Sequence, residues 1–442
     1  MHSATENVFL TGLKIVHLNT YDGNGGAGRA CLRLNAALNA HAADRKAAFV
    51  QSKVLAYFKF GKDEEVGTFT ASPLSRARAA AQILAERYLS KSLSRSIKTP
   101  FSLQWFGQSV IDHPEVRSAD IIHLHWINHG FLTPRFIAQL ARLEKPIVWT
   151  FHDSNAFTGG CHVRYDCEHY LRSCGHCPIL RFSGAKDQSH STWLRKQRAY
   201  AKLDFRIIAP SKWMHDSVRL SSLLGARQTS VIPNTLETQV FRPYVQQEAK
   251  SILNIPPEKF VLMSGFMPSK NDKHKGTPYL VDALRDLAAR PEIDPSQFEL
   301  VIFGNKNNAD LPEFPFHTTF LGTVNNDVHL AKCYSAADAF ISPSLEDNLP
   351  NTVMESLSCG TPVIAFTTGG IPDMVTHGEN GYLAPYRSSS GLADGLEWLY
   401  LHPDRQAIRK EARRSVLSRF SEAIIAARHL ELYESLVNLR QR

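Results

Sequence analysis

The stretch 338–385, DAFISPSLEDNLPNTVMESLSCGTPVIAFTTGGIPDMVTHGENGYLAP, constrains this chain more than any other. A short apolar run, 339–342, reads as a strand and is followed by a polar loop, 343–349. Pro350 suits the first turn of a helix, where its missing N–H costs nothing. That helix should run to about Ser358, with Gly360 as its stop. A second strand, 362–365, and a Gly369-Gly370 turn come next. Strand, loop, helix and strand in this order make the unit of a parallel α/β sheet, which binds ligands at the carboxyl edge of its strands. The start of such a helix attracts phosphate through its free N–H groups. Asp347 lies in the loop and Glu355 follows eight residues on, inside the helix. A carboxylate at the depth of Glu355 can accept both hydroxyls of a ribose, and Asp347 is placed to meet a sugar carried on the far phosphate.

The block resembles the signature of family 4 retaining glycosyltransferases of GT-B fold, in which two acids eight apart precede CGTPV, GG and NG. Asp347, Glu355, Cys359 to Val363, Gly369-Gly370 and Asn380-Gly381 match it in order and spacing. Five separated elements agree, which an ordinary crossover with a solvated acidic loop would not require. The family usually has Glu at the first acidic position; this chain has Asp347, with Glu346 beside it, and either acid could reach the sugar. The resemblance implies donor contacts from Asn348, Leu349, Pro350 and Asn351. It also implies an α/β architecture of two Rossmann-like domains facing a cleft: an acceptor-binding domain at 1–235, a nucleotide-sugar domain at 236–415, and a helix at 416–442 packing back on the first domain. The boundary rests on 232–243, IPNTLETQVFRP, which resembles the linker ending the first GT-B domain.

The earlier part of the chain can be read on that frame. Residues 13–18 form a first strand, and the following Gly-rich loop contains Gly23, Gly25 and Gly28 in G-x-G-x-x-G spacing. By itself this pattern also fits a nicotinamide site. A Rossmann NAD site wants an acid closing the second strand, and the strand expected at 47–50 ends in Gln51-Ser52. The loop also resembles the GGA turn of family 4, in which Gly25 and Gly26 let backbone approach the donor. Strands at 119–124 and 146–151 are followed by His125 and His152, placing both at the ligand edge. His152 matches the family histidine that reaches the donor sugar. Further strands are expected at 206–209, 229–232, 259–264, 299–303 and 318–321. Lys275, before Gly276, matches the lysine that neutralises the donor diphosphate. The arginine that usually precedes it is absent, and Lys270 or Lys273 could substitute. The resemblance thus implies His152, Lys275, Asp347 and Glu355 as the catalytic set, a UDP- or GDP-linked sugar donor, and no catalytic metal.

Cys161, Cys167, Cys174 and Cys177 cluster after His152-Asp153. The last pair is a C-x-x-C, half of a zinc knuckle, although the earlier spacings are looser. Clustered cysteines in a reducing compartment favour metal over disulfides, so structural zinc is one expectation and disulfides the other. The first fifteen residues lack a basic start and an apolar signal core, and no run of about 18 apolar residues occurs, which points to a cytoplasmic protein without a spanning helix. Residues 1–215 hold 28 Lys+Arg against 16 Asp+Glu, a balance of +12, while the remainder holds 22 against 26. A basic first half could meet anionic lipid, nucleic acid or phosphate-bearing substrate; no nucleic-acid signature accompanies it. Segment 74–98 reads as one basic amphipathic helix, packed on its own domain or lying on the inner face of the membrane. The most economical reading is a retaining glycosyltransferase acting on a glycan or lipid-linked glycan in bacterial surface polysaccharide synthesis. A nicotinamide oxidoreductase and a non-catalytic sugar-nucleotide scaffold are the alternatives.

Overall fold

The computed structural model describes residues 12–45, 50–61, 64–95, 100–265, 273–304 and 312–441. Two parallel sheets carry these residues. The first contains β1 (Leu13–Tyr21), β2 (Val50–Phe58), β3 (Gly67–Thr68), β4 (Ile121–Leu124), β5 (Ile147–Thr150), β6 (Arg206–Ala209) and β7 (Thr229–Val231), in the order β3-β2-β1-β4-β5-β6-β7. The second contains β8 (Phe260–Gly265), β9 (Phe298–Phe303), β10 (His317–Gly322), β11 (Ala339–Ser342), β12 (Val363–Phe366) and β13 (Gly381–Ala384), in the order β10-β9-β8-β11-β12-β13. The central strands are short continuous apolar runs, as expected when helices cover both faces of a parallel sheet. Each sheet accordingly separates two apolar layers: one around Leu18, Leu124 and Trp149 backed by one around Ile15, Ile121 and Val148, and one around Met263 and Val353 backed by one around Leu262 and Leu284.

The chain crosses between the sheets twice. Leu236, leaving the first sheet, pairs with Ser421 on the way back. Before the return, helix Arg405–Leu417 buries Ala412 and Val416 in the second core. After it, helix Glu422–Gln441 packs against helix Gly25–Arg45 and places Ile425, Ala426, Leu430 and Tyr433 among Leu13, Ile15 and Leu38. The last helix therefore completes the core of the first sheet. Among the described residues no helix is long and apolar enough to cross a membrane.

Three local readings need correction. β2 runs on past the expected strand end, so Gln51 and Ser52 lie inside it and Val54–Tyr57 is buried; residues 47–49 of the expected strand lie outside the described residues. The segment read as one helix over 74–98 ends at Leu93, because Ser94 pairs with Leu180 and the Arg95 amide donates to the Ile179 carbonyl. Pro350 caps helix Asn351–Ser358 from outside, in extended conformation.

Candidate active site between the two sheets

The loop following β11 meets the loops following β1 and β5, all at carboxyl edges. Its shape is set by glycines. Gly276 has φ +68°, and a Cβ there would lie 1.7 Å from the Pro343 carbonyl oxygen. A Cβ on Gly369 would lie 1.9 Å from the Asp347 carbonyl oxygen, and one on Gly370 1.8 Å from that of Asn348. The K-G and GG elements are thus two walls between which residues 343–348 are held, leaving no room for a side chain at either.

Within that loop the two adjacent acids diverge. Glu346 is buried and accepts from the Arg164 amide at 3.0 Å and the Tyr165 amide at 2.6 Å, across in the first domain. Burial raises its pKa, and those contacts partly restore the charged form. Asp347 turns to the Lys275 ammonium at 2.8 Å. Asp347 is therefore the acid beside the candidate phosphate-binding lysine, and Glu346 serves the contact between domains.

Asn348 also joins the domains. Its amide donates to the Phe151 carbonyl at 2.9 Å and the His152 carbonyl at 3.2 Å, and accepts from the Ser211 hydroxyl at 2.7 Å. Leu349 lies in the second core. The Asn348 side chain is thus engaged between the domains and the Leu349 side chain is packed in the second core. Asn351 reaches the Gly26 carbonyl at 3.2 Å, which sets the Gly25-Gly26 turn against the start of helix Asn351–Ser358. Lys270 lies outside the described residues, as do the side-chain surroundings of Lys273.

Glu355 is 1% exposed. Its Oε1 lies 2.9 Å from Arg33 Nη1, and its Oε2 accepts from the Tyr334 hydroxyl at 3.2 Å. Arg33 is equally buried and also pairs with Glu237 at 2.6 Å, with Asp327 at the margin of reach. Burial raises the Glu355 pKa while Arg33 and Arg29 oppose that rise. Arg29 and Arg33 escaped the sequence reading. The available signal was two arginines one helical turn apart directly after the Gly-rich loop, which puts both on the face turned to the cleft.

On the first-domain side, His152 is half-buried and bonds through Nε2 to His125 Nδ1 at 3.0 Å. Burial lowers its pKa to about 4. Neighbouring Asp153 accepts from Trp126 and His162, each at 2.6 Å, and from the Asn155 amide. Burial would raise the Asp153 pKa, but His162, the Asn155 amide and Trp126 together outweigh it and hold the carboxyl low.

The four loop cysteines are free thiols lining one cavity of about 20 Å³, which corrects the disulfide alternative. Among the described residues, the one His, Cys, Asp or Glu group whose ligand atoms all lie within 4.8 Å of one another is His17, Cys31 and His125. The loop thiols stand wider apart than that. The buried Lys196 ammonium lies near them, held by the Asn155 and Thr158 carbonyls. Burial lowers its pKa to about 7, against the pull of Cys161, Cys174 and Asp153.

Comparison with known proteins places this geometry. Residues 258–402 match the family described as "Glycosyl transferases group 1". That stretch of the second domain is similar to a glycosyl transferases group 1 domain. The D-inositol 3-phosphate glycosyltransferase of Paenarthrobacter aurescens is 28% identical over 180 residues, covering 38% of this chain and 42% of that one. A second D-inositol 3-phosphate glycosyltransferase, from an Arthrobacter species, is 27% identical, covering 47% and 50%. The chain thus spans half or less of the length of these two relatives. An uncharacterized glycosyltransferase of Methanocaldococcus jannaschii is 26% identical, with coverage of 76% and 90%. Among solved structures, sucrose-phosphate synthase from Thermosynechococcus elongatus superposes with TM-score 0.63 at 18% identity, covering 97% of this chain and all of that one. HepE of Anabaena in complex with UDP-glucose does so with TM-score 0.60 at 18% identity, covering 96% and 100%. The group 1 domain and the sheet preceding it therefore form a GT-B fold.

Proposed function

We propose that this chain is a retaining glycosyltransferase that moves a sugar from a nucleotide-sugar donor to a glycan acceptor. The observation that carries this reading is the Lys275–Asp347 pair at the mouth of the group 1 domain, with Glu355 one helix deeper and His152 on the facing edge. Ribose hydroxyls would take over from Arg33 at the Glu355 carboxylate. The diphosphate would lie at the start of helix Asn351–Ser358, against Lys275. The bond between the anomeric carbon and the phosphate oxygen breaks as the acceptor hydroxyl oxygen bonds to that carbon from the same face. Its proton passes to the departing phosphate. No side chain acts as nucleophile; Lys275 and the helix amides stabilise the leaving charge, and the two sheets hold donor and acceptor together.

The donor we favour is UDP- or GDP-linked; HepE, bound to UDP-glucose, makes UDP the first to test. A nicotinamide site is less well supported. Asp22, in the Gly-rich loop, spends its carboxylate on the Phe60 and Gly61 amides, and β2 ends at Phe58 without an acid. The deciding experiment is a panel of UDP-, GDP- and ADP-sugars, scored for binding and nucleotide release beside an NAD titration. Binding and release with one sugar nucleotide supports the proposal. Binding without transfer or hydrolysis supports a scaffold, and NAD binding alone supports an oxidoreductase.

For the acceptor we propose a lipid-linked glycan at an anionic membrane surface, in surface polysaccharide synthesis. Helix Pro73–Leu93 supports this. Leu84 is 64% and Tyr88 72% exposed, beside exposed Arg76, Arg78, Arg87 and Lys91. Glu86, the helix's one acid, turns inward and accepts from the Gln104 and Trp105 amides. The outward face is thus basic and apolar with no carboxylate, a composition suited to anionic headgroups.

For the cysteine loop we propose one structural zinc on Cys161, Cys167, Cys174 and Cys177. Support comes from four thiols facing one ion-sized cavity, with the buried Lys196 ammonium to offset thiolate charge. The metal would draw the sulfurs inward to tetrahedral spacing.

A further inference from the structure

A chain of hydrogen bonds runs inside the first sheet from the side away from the cleft to the cleft itself. Ser52 Oγ donates to Asn35 Oδ1 at 2.8 Å. Ser52 Oγ also lies 2.9 Å from His17 Nε2, His17 Nδ1 lies 2.9 Å from His125 Nε2, and His125 Nδ1 lies 3.0 Å from His152 Nε2. Asn35 and Ser52 line a cavity near the amino ends of β1 and β2, together with Lys14, Ile15 and Gln51, whereas His152 follows β5 at the opposite edge.

The direction of every bond follows from the first. A serine hydroxyl has one proton, and that of Ser52 goes to Asn35. Towards His17 it can only accept, so His17 carries its proton on Nε2 and offers a lone pair at Nδ1. His125 must then donate from Nε2 and accept at Nδ1, and His152 must donate from Nε2. We infer that Asn35, Ser52, His17 and His125 are positioning residues that lock His152 into its Nε2–H tautomer, so that the nitrogen outside the chain, Nδ1, meets the cleft as a hydrogen-bond acceptor. A hydroxyl donor is the ligand such an atom selects, which on this site means a sugar hydroxyl. The inference rests on the reading of His152 as a donor-side residue.

Neutrality of the chain supports the assignment, because each neutral imidazole has one donor and one acceptor nitrogen. His17 and His125 are almost fully buried. Burial first, and the neighbouring imidazoles second, lower the pKa of His17 to about 3 and that of His125 well below its ordinary value. Cys31 lies within 4.8 Å of the same histidine nitrogens. Both nitrogens of His17 and both of His125 are already engaged in this chain, so the two histidines have no free nitrogen to offer a metal beside Cys31.

The test is nitrogen-15 NMR of the full-length protein labelled at histidine rings, with His152 assigned by its loss in His152→Gln. The wild type should show His152 protonated at Nε2 alone. Ser52→Ala, a change small enough for the fold to survive, should give mixed His152 tautomers and a kcat lower by about tenfold at unchanged donor KM, the scale of misorienting a supported ligand-binding histidine. Ser52→Thr, which keeps the hydroxyl, should restore both. A wild-type His152 protonated at Nδ1, or a Ser52→Ala protein with unchanged His152 signals, overturns the inference. Full activity in His152→Ala would instead overturn the role of His152 while leaving the tautomer result standing.

Discussion

Burial of Glu355 beside Arg33 sets the energetics of the proposed donor site at the scale of single residues. Removing one member of a buried pair leaves the other charge desolvated, at a cost of about 3–5 kcal/mol. Arg33→Met should therefore destabilise the protein by an amount in that range, with the lost Glu237 pairing adding to the cost. The double variant with Glu355→Gln should cost less than the two singles combined, as read from denaturant unfolding; strict additivity would show that the two do not interact. Glu355→Gln should also weaken donor binding by about 1–3 kcal/mol, the scale of unpaired buried hydroxyls, and calorimetry showing unchanged affinity would remove it from the ribose site. The buried histidines make a second prediction. His17, His123, His125, His152 and His429 all have pKa values lowered chiefly by burial, to about 3 for His17 and about 4 for His152 and His429. Below the ordinary value of 6.5 the unfolded chain binds protons that the folded chain refuses. Stability is then full above that pH and falls as pH drops towards 4, each group adding up to about 1.4 kcal/mol per pH unit. Thermal unfolding with a midpoint constant from pH 7 to pH 4.5 would contradict this.

Elements differ in how much of them a sequence exposes. The 338–385 block was legible because its parts are local: strand, loop, helix and GG turn lie within 48 residues, and the backbone carbonyls that exclude a side chain at Gly369 and Gly370 lie inside that span. Gly276 shows the limit: the sequence marks it as the glycine after Lys275, but the Pro343 carbonyl that excludes a side chain there lies 67 residues away. The histidine chain was not legible, because His17, Ser52, His125 and His152 come from separate strands and only the strand order β2-β1-β4-β5 makes them neighbours. The basic helix was read too long because its end is set by pairing with Leu180 in the cysteine loop. That loop carries its own prediction. Purified protein should contain about one zinc per chain, and a strong chelator should open residues 153–180 to protease while donor binding by the group 1 domain persists. Metal-free protein with the loop already protected would leave the four thiols as packing groups.

The whole molecule is organised so that the last helix repairs the first domain. Tyr433 is fully buried and its hydroxyl meets His123 Nδ1 at 2.6 Å, so truncation after Ser421 should unfold the first sheet while leaving the group 1 domain folded, as limited proteolysis would report. On the outer surface, the Arg76-to-Lys91 face predicts binding to anionic vesicles that weakens with salt and with Leu84→Ser/Tyr88→Ser; equal binding to neutral vesicles would contradict an electrostatic surface. Across the cleft, the proposed role of Lys275 is to activate a sugar nucleotide held by the group 1 domain. The most direct measurement is single-turnover nucleotide release by wild type and Lys275→Ala with the donor identified by the panel, at saturating donor and acceptor. The rate should be lower by about 100-fold or more in Lys275→Ala, the scale of removing one preorganised charge-stabilising group, with donor affinity changed far less. Equal single-turnover rates in the two proteins would contradict it.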